Sequence, residues 1–407
     1  MLQIIKMAYR DLGRNRRRSF FSALALGIGV AVLLLMAGVV TGEMRDAMEN
    51  SIRLDSGHIQ VRAQTYNADK TSLAFEDLIE NPDALAAQVA SLAPVKAATP
   101  RLFASGIMSS GEDTMGVRIV GVDPASNANA PFRDGLLSGE YIAPDDREGI
   151  YVGQVLADKL RLKAGDPVNL MVNTANGDVD QQMFTIRGLY STKTPGIDQY
   201  FVLMPIAKAQ AITRTPGRAS AIFVMLKDRG QTDEVVSALA SSPYKIETFE
   251  SLNKLMVQYE EFASSYMVLI YLIVLAITAT VIVNTLVMSV FERTREIGIL
   301  SALGMKSGSI MSMFFAESAL LAFGGIAIGI LLGLGMVAWF NKNGFYVGDM
   351  NLTGILLNER IYAYLTLKDA VSLSATALII TLLAALYPAA MAARMEPVDA
   401  MRGGKQA

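Results

Sequence analysis

The sequence predicts a membrane protein of four transmembrane α-helices with a large α+β extracytoplasmic domain inserted between the first and the second. Three observations predict it. Phe20–Val40, Phe262–Phe291, Ile310–Phe340 and Ala370–Ala393 are apolar runs in which Glu317 is the one formally charged residue, and a helix needs about 20 such residues to cross the hydrocarbon core. Basic residues gather at alternate ends of these runs. The long interval after the first run carries the period-two patterns of strands.

Composition agrees. The 407 residues are 52% hydrophobic and 18% charged, with a mean hydropathy of +0.35, too apolar for an ordinary soluble enzyme and too charged for a chain wholly in lipid. A net charge of -2 gives no nucleic-acid footprint. Without Cys there is neither a disulfide nor a thiolate metal site, and His58, the single histidine, excludes a multi-His site.

Residues 1–18 read as a basic amphipathic helix on the cytoplasmic surface, and residues 19–41 as the first span. Lys and Arg at span ends stay in the cytoplasm. Arg10, Arg14 and Arg16 to Arg18 precede the first span, Arg293, Arg295 and Lys306 separate the second (262–291) from the third (310–340), and Arg394, Arg402 and Lys405 follow the fourth (370–393). Both termini, the tail at 394–407 and the connection at 292–309 are therefore placed inside, and residues 42–261 and 341–369 outside.

Within the outer insert, Met44, Ala47, Met48 and Ile52 recur at helical steps, as do Phe249, Leu252, Leu255, Met256, Tyr259 and Phe262. These two rods, at 42–55 and 247–261, pack by their apolar faces into a stalk. Between them, strands are expected at 58–62, Val117–Val122, Pro167–Val172, Met183–Leu189, Gln199–Met204 and Ala221–Leu226, with a hairpin turn at Asn176-Gly177. Helices are expected at Asp83–Leu92, Val155–Leu160, Ile206–Thr213 and Thr232–Ala240, and a strand-rich lobe over about 98–190.

The connection between the second and third spans carries the most specific motif. Glu292, Arg293, Arg295 and Glu296 are opposed charges at helical spacing, Ile297, Leu300 and Leu303 form an apolar face that a plain cytosolic loop would not need, and Gly304 suits a helix stop. With the Ile297-Gly298 step, this run resembles the coupling segment of the FtsX-like, MacB-type permease family, the membrane half of type VII ABC transporters. The basic start with Leu12, Arg14, Asn15 and Arg17-Arg18 resembles the family's elbow helix, and the run from Ala389 to Arg402 its closing pattern. Gly153–Ala157 and Leu162–Val168 are similar to macrolide-exporter and lipoprotein-releasing permeases, and Phe184–Tyr190 with Gly196–Tyr200 to the lipoprotein-releasing branch. Some members of that branch carry a longer hairpin that grips a periplasmic chaperone, whereas here a short Asn173–Gln182 link joins the strands.

The resemblance implies a permease in the bacterial inner membrane that moves its periplasmic domain with energy from a separate ATPase dimer, ATP and Mg being bound by that partner and no cofactor by this chain. A second copy, or a related permease, completes eight spans. Implied work is extraction of lipoproteins or other amphiphiles from the outer leaflet; export of a drug, peptide or other small molecule with periplasmic partners, or non-transporting regulation of a cell-wall hydrolase, are the alternatives. The residues agree that ATP hydrolysis is not this chain's own: the order in Gly304-Met305-Lys306-Ser307-Gly308-Ser309 is not that of a phosphate loop, and no G-x-S-x-G turn is present.

Within the spans, Gly325, Gly329 and Gly333 make a small-xxx-small face for packing within the chain or at a dimer seam. Glu317 and Asn284 are the polar candidates, Glu317 for transport or for pairing with a neighbour, Asn284 with Thr285 for hydrogen bonds across helices.

Overall fold

The computed structural model describes residues 2–14, 16–67, 73–347 and 358–395. Expectations that fall on Asn15, on residues 348–357 of the shorter outer segment, or on the tail beyond Met395 with Arg402 and Lys405 lie outside the described residues. The chain forms two compact units, one of Met1–Glu43, Glu261–Phe345 and Ile361–Ala407, the other of Met44–Glu260 and Tyr346–Arg360.

The first unit is helical. Leu2–Arg14 is followed by Arg16–Asn50, which passes into a short π-helical stretch at Ser51–Ser56. This first long helix and those at Lys254–Glu292, Ser307–Asn343 and Leu367–Ala393 are long and apolar enough to cross a membrane. In hydrocarbon each backbone group must be satisfied inside its own segment, which a continuous helix achieves. The fourth starts where Thr366 accepts the Asp369 N–H at 3.1 Å, while Asp369 at the third helical position takes the Thr366 hydroxyl proton at 2.5 Å. Leu26, Val30, Leu33 and Leu34 of the first long helix bury themselves against Leu275, Ile282 and Leu286 of the second and Leu321 and Ile326 of the third.

The second unit is built on a ten-stranded sheet. Its order runs Lys245–Thr248, Ile59–Arg62, Ala221–Leu226, Val95–Ser110, Asp113–Val122, Phe201–Pro205, Gly149–Gly153, Val179–Tyr190, Leu136–Gly139. Pro167–Asn173 then pairs with both Val95–Ser110 and Val179–Tyr190, so the central pairings close on themselves and leave no free edge there. Around this ring lies one core, with Leu102, Ile119, Ile150, Leu170, Ile186 and Val202. A second core, with Ile59, Leu85, Val89, Ile222 and Val235, sits under the helices Pro82–Ala90 and Thr232–Leu239.

Val95–Ser110 joins the two cores. The sequence reading had no strand here, because Pro100, Gly106 and the alanines at 97 and 98 are poor strand formers. The hairpin at Asn176-Gly177 forms, with Gly177 at φ +82°. Its ladder, however, runs on to Asn173↔Val179, so half of the expected Asn173–Gln182 link is paired strand and the loop is shorter still.

The two expected rods need correction at one of them. Met44, Ala47 and Ile52 do pack with Phe249 and Met256. The second rod is interrupted at Asn253, between Phe249–Leu252 and Lys254–Glu292, with ψ of 44° at the break. The offset turns Leu255 and Phe262 outward, so neither joins the packed face. The side chain of Asn253 uses the break: it donates to the Phe249 carbonyl at 2.9 Å and accepts the Ser51 hydroxyl at 2.9 Å.

Candidate functional site

The segment between the second and third long helices is a helix of its own, Thr294–Ala302. It ends as a Schellman motif: Met305 N–H reaches the Leu300 carbonyl at 3.0 Å, Gly304 N–H the Ser301 carbonyl at 3.0 Å, and Gly304 sits at φ +89°. The apolar face divides differently from the expectation. Ile297, 2% exposed, and Gly298 point inward, Ile297 packing with Val290, Ile310, Phe314 and Ala389. Leu300 is half-buried, while Leu303 is 80% exposed and Ile299 45%. Ile297 is thus a core residue and the outward apolar pair is Ile299 and Leu303, four residues apart on one face.

The charges around this helix come from five helices. Arg14 of the elbow bonds Glu296 at 2.8 Å, and Arg18 bonds Glu292 at 2.5 Å. Arg293, almost fully buried, bonds Asp11 at 2.8 Å and Glu296 at 3.0 Å and faces Glu317 at 3.5 Å. Burial alone would raise the Glu296 carboxyl, but hydrogen bonds from Arg293 and Arg14 outweigh it and hold it below the ordinary glutamate value. Glu317, buried in the third long helix, pairs with its neighbour and also faces the Ser289 hydroxyl at 3.5 Å. Asp11 was not among the expected site residues; its place on the amphipathic elbow gave no sign of a partner 282 positions away. Arg295 is exposed.

Gly325, Gly329 and Gly333 all face the first long helix. A side chain at Gly329 would meet Val30 at 2.7 Å and the Gly27 carbonyl at 2.8 Å; at Gly325 it would meet the Ala23 carbonyl at 2.8 Å. The face therefore serves packing within the chain. Of the two polar residues on the second long helix, Thr285 shares a hydrogen bond with Ser22 at 2.8 Å, whereas Asn284 is exposed on the outer side, so the cross-helix role expected of it does not arise within the unit.

In the second unit a cleft of about 640 Å³ is lined by Arg62, Arg118, Tyr66, Phe103 and Phe201. Its cations are already engaged: Arg62 lies 4.0 Å over Tyr66 and bonds Gln60, and Arg118 pairs with Asp55 at 2.9 Å.

Two family descriptions match this arrangement, the MacB-like periplasmic core domain over residues 19–242 and the FtsX-like permease C-terminal region over residues 268–397. The chain belongs to this permease family. The permease is 22% identical to the lipoprotein-releasing system transmembrane protein LolC of Neisseria meningitidis, over 97% of either chain. It is also 22% identical to the LolE protein of Haemophilus influenzae, over 94% of this chain and 93% of that one. The macrolide export ATP-binding/permease protein MacB of Acinetobacter baylyi is 23% identical over 98% of the permease, which spans 59% of that longer protein. Among solved structures, the periplasmic region of MacB from Actinobacillus actinomycetemcomitans aligns with 51% of the permease and 97% of its own length, at 14% identity and a TM-score of 0.34. The permease is a multi-pass membrane protein with a MacB-like periplasmic domain.

Proposed function

We propose that this permease is the transmembrane subunit of an ABC transporter whose ATPase is a separate chain, and that it extracts lipoproteins or other amphiphiles from the outer leaflet of the inner membrane. The observation that carries the reading is the match over nearly the full length of both chains to lipoprotein-releasing transmembrane proteins, where the ATP-binding relatives extend well beyond this chain. The folded domain of residues 44–260 is then inserted between the first and second spans on the periplasmic side, with both termini in the cytoplasm, as the basic residues at the span ends require.

In this reading an ATPase dimer, holding ATP and Mg, docks on the exposed Ile299 and Leu303 of two permease copies or of this chain and a related one. Nucleotide-driven closure pushes the segment from Glu292 to Gly304. The helix Lys254–Glu292 passes that push toward the stalk, and the outer domain changes shape against its substrate. The macrolide and pyoverdine exporters among the relatives favour a second reading, export of a small molecule by the same movement.

Reconstitution decides between them. The permease and its ATPase in proteoliposomes loaded with a labelled lipoprotein are expected to release it on addition of ATP and Mg. Release of none, together with ATP-dependent efflux of a small water-soluble compound, would replace the first reading by the second.

A further inference from the structure

The side chain of Arg293 is 8% exposed and gathers carboxylates from three separate elements: Asp11 on the elbow helix, Glu296 on the segment helix and Glu317 on the third long helix. One planar guanidinium fork can serve several carboxylates at fixed angles, which a lysine cannot. We propose that Arg293 is a positioning residue, a joint that holds the segment helix in register with the elbow and with the third long helix, and that its arm to Glu317 is the one that opens when the segment is pushed.

Geometry separates the three arms. Those to Asp11 and Glu296 are hydrogen bonds at 2.8 and 3.0 Å. The arm to Glu317 is a 3.5 Å ion pair in which Arg293 Nη1 and Glu317 Oε2, both buried, make no hydrogen bond among the described residues. A buried pair of this kind is a weak source of stability, since apolar residues of like volume often serve as well. Its distinctive effect is direction, since each element can sit in only one place relative to the cation. The outer pairs, Arg14 with Glu296 and Arg18 with Glu292, lie nearer solvent and are screened. Only the buried joint resists salt.

The push belongs to the function proposed above, but the joint stands on geometry alone, and the test keeps them apart. Because the chain has no cysteine, Arg10→Cys and Ala302→Cys, both at exposed positions, take spin labels in the full chain in nanodiscs without removing any native thiol. The expected result is a narrow distance distribution in the parent, broadened by Arg293→Lys, which loses the fixed fork to all three carboxylates, broadened to a lesser degree by Glu317→Gln, and unchanged by Arg14→Gln. With the ATPase present, lipoprotein released per ATP hydrolysed is expected to fall about fivefold or more in Glu317→Gln while ATPase binding persists. Unchanged distances in both joint variants overturn the proposal, whether or not the parent releases lipoprotein; a parent that releases nothing overturns the function and leaves the distances to decide on the joint.

Discussion

Asp198 shows how a single carboxylate organises the outer domain. It accepts the Ser191 hydroxyl at 2.8 Å, the Thr192 hydroxyl at 2.7 Å and the Thr192 N–H at 3.0 Å, closing the loop between Val179–Tyr190 and Phe201–Pro205. Gly153 lies so close to its backbone that no side chain would fit there. Burial raises its carboxyl from 3.8 to about 6, against the opposing pull of those hydrogen bonds. The native state then binds this proton more tightly than the unfolded chain, so the contribution to stability is fullest below about pH 4 and is lost as pH rises through about 6. Asp198→Asn, followed by thermal unfolding of the full chain in detergent at pH 5 and pH 7, is expected to lower stability at both values and to remove a component of about 1 kcal/mol that the parent loses between those two values. An identical slope in parent and variant would refute the assignment. Asp198 lies in the run that carried resemblance to one branch of the family, yet its work is local: the pattern of residues was visible, and the reason for the aspartate was not.

At the scale of the element, the segment Thr294–Ala302 separates two kinds of apolar residue that the sequence reading grouped together. Ile297→Asp would place a charge among Val290, Ile310 and Phe314, and is expected to lower the folded yield of the permease itself, at a cost of several kcal/mol. Leu303→Asp alters an exposed side chain and is expected to leave yield and melting unchanged while weakening ATPase capture about tenfold or more, as the loss of an apolar anchor does. Co-purification with the ATPase beside a melting curve reads both; equal capture by Leu303→Asp and the parent would remove this face from the interface. The limit of the sequence here is one of angle. Ile297, Leu300 and Leu303 share a helical stripe, but which edge of the stripe meets the bundle depends on the exit of the helix at Arg293, which no local pattern encodes. The same holds elsewhere. Strands with strong local chemistry, such as Ala221–Leu226 and the hairpin at Asn176-Gly177, were legible, and so were the four apolar helices. Val95–Ser110, whose pairing is long-range and whose composition is poor in β-branched residues, was not.

For the whole molecule, the function proposed above raises the question of how a push at one end of a helix would become a change in a folded head. Lys254–Glu292 is one uninterrupted helix that contributes residues to both compact units, its last turn leading into the segment helix. At its other end Met256 packs with Met44, Ala47, Ile52 and Phe249, and the broken turn at Asn253 is bonded to Ser51. Arg101, fully buried, continues the chain of contacts by donating to the Leu54 carbonyl at 2.8 Å and to Asn129 at 2.9 Å, from the long strand that joins the two cores. A movement of the helix would therefore arrive at the sheet through packed and hydrogen-bonded groups. The mechanism requires the helix to be stiff between residues 256 and 292, and Glu261, where one unit gives way to the other, is exposed and free of packing that a substitution would disturb. Glu261→Pro removes one backbone hydrogen bond and kinks the helix at about 3 kcal/mol, without deleting a contact at either end. The expected outcome is ATP hydrolysis within about twofold of the parent, since docking is untouched, with release reduced about tenfold or more because the push is spent in the kink. Glu261→Ala, a good helix former, is expected to behave as the parent. Release by Glu261→Pro equal to that of Glu261→Ala would mean that force reaches the outer domain by another route, and the helix would then be only an anchor.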